Sequence, residues 1–423
     1  MATAPVEPQQ TPAGFVATVE DRTRVAIVYP ADPPGSIPGG IDTFIRGLIR
    51  WAPADIDMNL IGVTTDAKRR RVGVWTRCVL GPSSYQHYSV YEIENPGRQP
   101  RIPATVRFMA TMVPRLPRFY GCFDVLEFHR LEPLALFVRD PTPKTVVLHQ
   151  NMDAIRSSAS DIRWKHVPGL YFRLERTLLR RASSAFFVRE DAVAAYRQRY
   201  PDIADRFRFT PTWMDPEVFH PLPPDRVAEA RAWLRQQIGA GDTERVLISV
   251  GRLDRQKDPL LLCSAFAELC RTRTDLRLVF VGDGVLRAET EALLRTLGVI
   301  DRVTFTGLQP AAAVARYLNA SDLFVLASAY EGMPMSVLEA LGCGVPVCST
   351  DVGEVRRSVV SGVNGQIVQE RTPQALARAC GICLDELHSY RGAPALDAAL
   401  PFVAERILAP FYANYRRLAR SAA

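Results

Sequence analysis

Tyr330-Glu331-Gly332-Met333-Pro334-Met335-Ser336-Val337-Leu338-Glu339-Ala340 is the stretch whose reading decides the fold. The apolar run Leu323 to Leu326 before it reads as a buried parallel strand. Ser328 to Gly332 is then a short loop, and Pro334 stands where helices begin. The loop's backbone N–H groups and the helix N-terminus together favour an anion. Gly332 lets a ligand come close to the main chain. Glu331 sits in the loop mouth and Glu339 about a turn and a half into the helix. Two carboxylates beside an anion site would repel a bare phosphate. They make better sense as acceptors for hydroxyls attached to it, on a sugar at one end and a ribose at the other. A single Glu at a helix start has a plainer reading, a solvated side chain favourable to the dipole; the whole string favours the functional one.

Upstream, Val246 to Val250 is a β run, followed by Gly251-Arg252-Leu253-Asp254-Arg255-Gln256-Lys257-Asp258. Alone this would be a charged surface loop. Paired with the two-glutamate stretch, Arg252 and Lys257 are the cations expected to hold a diphosphate. A diphosphate leaving group gathers negative charge as its bond breaks, and fixed cations stabilise that charge most in the transition state. Arg can bind bidentately, whereas Lys acts as a point charge. Leu276 to Val281 and Gly282-Asp283-Gly284 read as strand and turn, with the glycines serving the turn at least in part. Arg302 to Leu308 is a further strand and loop, Gly344 a C-cap, and Val345 to Cys348 a buried strand. Strand, helix, strand recurring from Val246 to Val347 predicts a doubly wound parallel sheet. Thr372 to Leu387 reads as a helix, and Phe402 to Leu418 is apolar and basic at helical spacing.

Glu331-x7-Glu339, inside EGMPMSVLEALGCGVPV, together with the Gly-Arg-Leu-x3-Lys string ending at Lys257, resembles the signature of the retaining glycosyltransferases of family 4. That family has the GT-B fold, an α/β architecture of two Rossmann-like doubly wound domains facing a cleft. The resemblance covers most of residues 24–370. It implies that the second domain binds a nucleoside diphosphate sugar, with UDP or GDP as the nucleotide, and the first an acceptor. Glu339 would hold the ribose hydroxyls and Glu331 those of the donor sugar, helped by loop amides of Gly332, Met333 and Pro334. Gly251, Gly282, Val337 and Leu338 fall in the same donor-binding strings, and Gly307 and Leu308 lie near the base. Arg252, Lys257 and a Gly39-Gly40 loop would hold the diphosphate. No carboxylate is placed as a covalent nucleophile, so same-face displacement is expected, the leaving phosphate taking the acceptor proton. No Asp-x-Asp pair sits on a strand end near this site, so neither metal nor cofactor is expected. The acceptor class implied is a glycan or lipid-linked oligosaccharide of exopolysaccharide or cell-envelope synthesis.

In the first half, Arg24 to Pro30 is an apolar, β-branched run and the first strand. A Pro/Gly-rich loop ending in Pro38-Gly39-Gly40 precedes a helical pattern from Ile41 to Trp51. Glycines there are where α/β folds bind phosphate, although the spacing is not that of a dinucleotide fold. The position resembles the family's paired glycines. Leu60 to Val63 and Val79-Leu80 are short strands, and Lys68 to Arg71 is a solvated charge run. Phe123 to His129 and Lys144 to Gln150 each carry a His at the end of a strand, where ligands of open α/β sheets sit. A lone His is more often structural. His149 resembles the family histidine that faces the donor sugar, where it would orient the sugar or stabilise developing charge; His129 ranks second. Leu170 to Arg181 is an amphipathic helix with a basic outer face, and a face for an anionic membrane is its alternative reading.

The expected domains are a disordered leader at 1–22, an acceptor domain at 23–215, a nucleotide-sugar domain at 216–395, and a helix at 396–423 packing back on the first domain. Pro216, Pro221, Pro223 and Pro224 stiffen the crossing. Thr350-Asp351-Val352-Gly353-Glu354 departs from the family's two-glycine pattern, and Arg357 stands where a Glu is common. This bears on the acceptor side or a local turn and leaves the donor site intact.

Composition sets the bounds. A chain of 423 residues exceeds one core, so two domains are expected. No window approaches the run of about 18 apolar residues that a membrane-spanning helix needs. Cys380-x2-Cys383 has no second pair to complete a zinc site and sits in a helical pattern, so core thiols are expected, as in a reducing cytosol. The net charge of +7 suits an anionic partner: nucleotide, lipid diphosphate, membrane surface or nucleic acid. No nucleic-acid signature accompanies it, so that partner is set aside. The expected location is the cytoplasm, at the inner face of the membrane if contact with anionic lipid is made. The competing readings are a nucleotide-sugar epimerase or phosphorylase on the same fold, and an inactive carbohydrate-binding relative. The joint presence of Glu331, Glu339, Arg252, Lys257 and His149 argues against the last.

Overall fold

A computed structural model describes residues 22–35, 40–94, 102–149 and 168–422. The leader up to residue 21, Gly39 and Gln150 lie outside the described residues. The chain forms two compact units, 1–210 with 405–423, and 211–404.

The first unit is built on β1 (Thr23–Val28), β2 (Ile56–Thr64), β3 (Trp75–Leu80), β4 (Ser83–Glu92), β5 (Val125–Phe128), β6 (Lys144–Leu148), β7 (Ser184–Phe187) and β8 (Phe207–Phe209). They form one sheet in the order β3-β4-β2-β1-β5-β6-β7-β8. Only β3 and β4 pair antiparallel among the described residues. The parallel strands are buried, as near-continuous Val, Ile, Leu and Phe runs require when helices cover both faces. β4 is absent from the sequence expectation. Its run Ser-Ser-Tyr-Gln-His-Tyr-Ser-Val-Tyr-Glu has a single aliphatic residue, and aromatic rings supply the burial instead.

The helix Ala404–Ala422 belongs to this first unit. Tyr412 Oη donates to the Leu48 carbonyl at 3.0 Å, and Asn414 Nδ2 donates to Thr145 and Ser184 hydroxyls, each at 3.0 Å. Arg416 pairs with Asp55. The buried bonds of Tyr412 and Asn414 fix the helix register in a way apolar contact alone would not.

The second unit contains β9 (Arg245–Val250), β10 (Leu276–Val281), β11 (Val303–Phe305), β12 (Leu323–Leu326), β13 (Val347–Thr350) and β14 (Gly365–Val368). They form an all-parallel sheet in the order β11-β10-β9-β12-β13-β14. Asp258 caps the helix Pro259–Cys270 by accepting from Leu261 N, and Thr372 caps Pro373–Asp385 through Ala375 N. Cys380 and Cys383 are buried in the core beside Cys348, where hydrogen bonds with these thiols, and then burial, push the Cys348 pKa up. The units divide at residues 210/211, against an expected 215/216, and the chain returns to the first unit at 405, against 396. The cause is local: Met214 N donates to Phe402 O at 2.9 Å and Ala404 N to Met214 O at 3.0 Å, tying the crossing segment and residues 402–404 to the second unit.

Candidate active site

The strand order of the second unit reverses between β9 and β12. Open α/β sheets bind ligands beyond the carboxyl ends of the strands at such a point. The two segments leaving those ends are Gly251–Asp258 after β9 and Ala327–Pro334 after β12. Ala329 N donates to Gln256 O at 2.7 Å, which laces one loop to the other. Lys257 Nζ lies 2.7 Å from Glu331 Oε1. Ser328 Oγ donates to the same oxygen at 2.7 Å and Gln256 Nε2 to Oε2 at 3.2 Å. Three donors from two loops therefore hold one carboxylate, which is nearly buried at 8% exposure. Were a ligand to draw Lys257 away, Ser328 and Gln256 would still orient Glu331. Arg252 is more open. It touches Asp254 at 3.1 Å and Gln256 Oε1 at 3.3 Å. Gln256 and Ser328 do not stand out as functional positions in the sequence, although Gln256 lies within the charged motif and Ser328 opens the loop.

The helix Met335–Gly342 follows directly, with Pro334 as an extended N-cap residue and no side chain capping it. Its first amides are thus left for a ligand. Val337 and Leu338 are fully buried, so their side chains are packed in the core and only their backbone is available to a ligand. Glu339 is part-exposed, yet loss of water around it pushes its pKa up to about 7, with the Lys257 charge pulling it down. No hydrogen bond is made to its carboxylate among the described residues. Below pH 7 it carries a proton; above, both oxygens accept. If Glu339 holds a nucleotide ribose, as the sequence leads one to expect, nucleotide affinity rises between about pH 6 and about pH 8. Glu339→Gln should bind more weakly and lose that part of the slope, leaving only the phosphate's own titration, as read by calorimetry. A variant with wild-type affinity and slope would remove Glu339 from the nucleotide site.

Gly282 N donates to Gly307 O at 2.9 Å, joining the turns after β10 and β11, and Leu308 beside them is exposed. A Cβ on Gly282 would lie 1.9 Å from Gly251 O, so this position tolerates glycine alone. The turn carrying Gly353, expected to bear on the acceptor side or a local turn, packs against the loop after β12. Glu354 N donates to Gly332 O at 2.9 Å, and a Cβ on Gly353 would come 2.0 Å from that same oxygen. Thr212 Oγ1 adds a bond to Met333 O at 3.1 Å.

In the first unit the strand order reverses between β1 and β5. Tyr29 to Gly35 leaves β1, Gly40 opens the next helix, and His129 follows β5. His149 follows β6 alongside and is part-exposed. His149 Nε2 lies 2.8 Å from His129 Nδ1, and His129 Nε2 lies 3.0 Å from Glu127 Oε1. Phe44 sets its ring edge-on to both imidazoles. Desolvation holds the pKa of His149 well below the usual range, helped by His129 and Arg130, and brings that of His129 down to about 3. A neutral imidazole at this position donates or accepts a hydrogen bond. Gly40 is exposed at the start of its helix with open space around it.

One cavity lies away from these groups. It measures about 520 Å³ at the amino ends of β9 and β12, lined by Arg231, Arg245, Asp322 and Arg391 among others. Asp322 pairs with Arg231 and Arg245, and main-chain carbonyls accept from Arg391; the charged loops of this unit lie at the opposite ends of the strands.

Two doubly wound, mostly parallel sheets, the second with charged loops meeting at its switch point, define a chain of the GT-B class. Sucrose-phosphate synthase from Thermosynechococcus elongatus superposes with a TM-score of 0.78 over 95% of this chain and 100% of that one, at 21% identity. Anabaena HepE, solved with UDP and glucose, gives 0.69 over 92% and 99%, at 18% identity. The family profile for glycosyl transferases group 1 matches residues 231–386. A GDP-mannose-dependent alpha-(1-6)-phosphatidylinositol monomannoside mannosyltransferase of Mycolicibacterium smegmatis is 30% identical over 68% of this chain and 74% of the relative. The chain belongs to the glycosyl transferases group 1. In three other relatives the matched stretch spans only 33%, 37% and 24% of their length; the first is a D-inositol 3-phosphate glycosyltransferase of Segniliparus rotundus, 33% identical over 34% of this chain.

Proposed function

We propose that the protein is a retaining glycosyltransferase that moves a hexosyl group from a UDP or GDP sugar to a glycan or lipid-linked acceptor. The observation that carries this reading is the meeting of the two charged loops at the switch point of the second unit, Lys257 against Glu331 at 2.7 Å beside an uncapped helix start. Lys257 and Arg252 face the diphosphate. Glu331 accepts from donor-sugar hydroxyls and Glu339 from the ribose. The bond from the anomeric carbon to the phosphate oxygen breaks with its electron pair going to the phosphate. The acceptor oxygen bonds to the same carbon from the same face, and its proton passes to the departing phosphate. Fixed cations lower the cost of that departing charge without reorganising, which is where most of the rate arises.

The mycobacterial relative is named for GDP-mannose and HepE was solved with UDP, so both nucleotides are in range. Exposed Arg173 and Arg176 on the helix Pro168–Leu179 support peripheral contact with anionic lipid at the cytoplasmic membrane face. No helix among the described residues is long and apolar enough to cross a membrane. Radiolabelled UDP and GDP sugars, offered with lipid-linked oligosaccharide after a thermal-shift panel has picked the nucleotide, test the reading. Label moved to the acceptor supports it. Isomerised sugar, or binding without turnover, overturns it. Two cations in place of a metal predict that EDTA leaves transfer intact; strong inhibition, restored by a divalent ion, would contradict that assignment.

A further inference from the structure

We propose that Glu127, His129 and Tyr415 form a positioning relay behind His149, in which the proton state of Glu127 decides whether the outer ring nitrogen of His149 donates or accepts a hydrogen bond. The inference rests on the transferase reading only for its catalytic consequence. Four groups of the first unit lie in one line. Tyr415 Oη bonds to Glu127 Oε2. Glu127 Oε1 lies 3.0 Å from His129 Nε2, and His129 Nδ1 lies 2.8 Å from His149 Nε2. Glu127, His129 and Tyr415 are buried, so no bulk water competes for these bonds. His149 Nδ1 ends the line, with no partner among the described residues.

Each bond needs one donor and one acceptor, and this fixes the tautomers as a set. With Glu127 ionised, Tyr415 donates to one oxygen and His129 Nε2–H to the other. His129 Nδ1 is then bare and accepts from His149 Nε2–H, which leaves His149 Nδ1 as an acceptor. With Glu127 neutral, the Tyr415 O–H already occupies Oε2, so the added proton sits on Oε1 and donates to His129 Nε2. His129 Nδ1–H then donates to His149 Nε2, and His149 Nδ1 carries a hydrogen. The balance closes: one proton enters at His149 Nδ1, one passes from His149 Nε2 to His129 Nδ1, and one passes from His129 Nε2 to Glu127. Neither imidazole ends with two protons.

The surroundings favour this division of labour. Burial pushes the Glu127 pKa up to about 8, with the Tyr415 bond opposing, whereas desolvation keeps both histidines neutral. The C-terminal helix presents Tyr412 and Tyr415 to Glu127. The end of β1 sets Tyr29 against His129, Arg130 acts on His149, and the helix Gly40–Arg50 contributes only the apolar Phe44. Glu127 is thus the group of this cluster that titrates near neutrality. In the transferase reading, the relay sets whether His149 gives a hydrogen bond to a sugar hydroxyl or takes one from it.

The test is nitrogen NMR of the ligand-free full chain labelled at histidine, with the His149 signals assigned by His149→Gln. From about pH 6 to about pH 10 the protonated nitrogen of wild-type His149 should change from Nδ1 to Nε2. Tyr415→Phe should move the change to higher pH, since it removes the bond that favours ionised Glu127. Glu127→Gln, which offers an amide N–H to His129 at every pH, should hold the Nδ1–H form throughout. One unchanging tautomer in wild type, or a change that survives Glu127→Gln, overturns the relay. These spectra are read without substrate, so they decide the relay even if the transferase reading fails. Where transfer is measured, Glu127→Gln should remove the matching inflection from kcat while the donor KM holds.

Discussion

Lys257→Ala should lower kcat on the order of 10²-fold or more, with a much smaller change in the donor KM. That is the usual loss when one preorganised donor to a developing anion is removed. In the resting site Lys257 is neutralised by Glu331 at 2.7 Å. Its value to the reaction lies in the charge that appears as the phosphate departs, an interaction stronger in the transition state than in the ground state. Such an interaction is read in kcat rather than KM. A different cause would give a different pattern. If Lys257 served only to hold Glu331, then Ser328 and Gln256, which also donate to that carboxylate, would preserve much of its placement. The loss would then be modest and would fall on sugar selectivity. Lys257→Arg, which keeps the charge at another reach and shape, should recover part of the turnover. Wild-type kcat in Lys257→Ala would end the assignment of this side chain to the diphosphate.

The parts of this protein that the sequence made legible are those whose chemistry is written in adjacent residues. Leu323–Leu326 is a buried strand because four apolar residues run together, and its bounds match the expectation. The loop strings around Lys257 and Glu331 announce themselves by spacing, and the fold brings those two residues into contact. Other features depend on contacts that periodicity does not encode. β4 buries aromatic rings and a histidine within a polar-looking run, so its alternation is masked. The bond between Glu127 and Tyr415 spans 288 residues of chain. Nothing near Glu127 in the sequence says that a tyrosine of the last helix will meet it. The uncharged donors of the Glu331 cluster look like ordinary loop residues until the backbone bond from Ala329 to Gln256 brings their loops together.

Gly353→Ala shows how far such hidden support reaches into the site. The substitution is expected to lower the Tm by about 4–8 °C, from roughly 2 kcal/mol of strain and overlap in a unit of this size. It should also reduce turnover on the order of 10-fold to 10²-fold. Gly353 has φ +54°, which any other residue adopts at a cost, and its added methyl would sit 2.0 Å from Gly332 O and 2.7 Å from Glu331 O. Both obstacles are main-chain atoms of the donor loop, so no rotamer change relieves them. The loop must move, carrying the Glu331 carboxylate away from Lys257, or the Gly353 turn must retreat and give up the Glu354 N bond to Gly332 O. Gly362→Ala separates the two effects. Gly362 has φ +83° with nothing within 4 Å of the added carbon, so it bears the backbone cost without the collision. That variant should lose stability by about 1 kcal/mol and keep its turnover. Equal turnover in the two alanine variants would mean that the Gly353 turn does not prop the donor loop. Loss confined to Gly353→Ala would place this turn, on the far side of the sheet's switch point from the cations, among the parts that hold Glu331 where the donor sugar meets it.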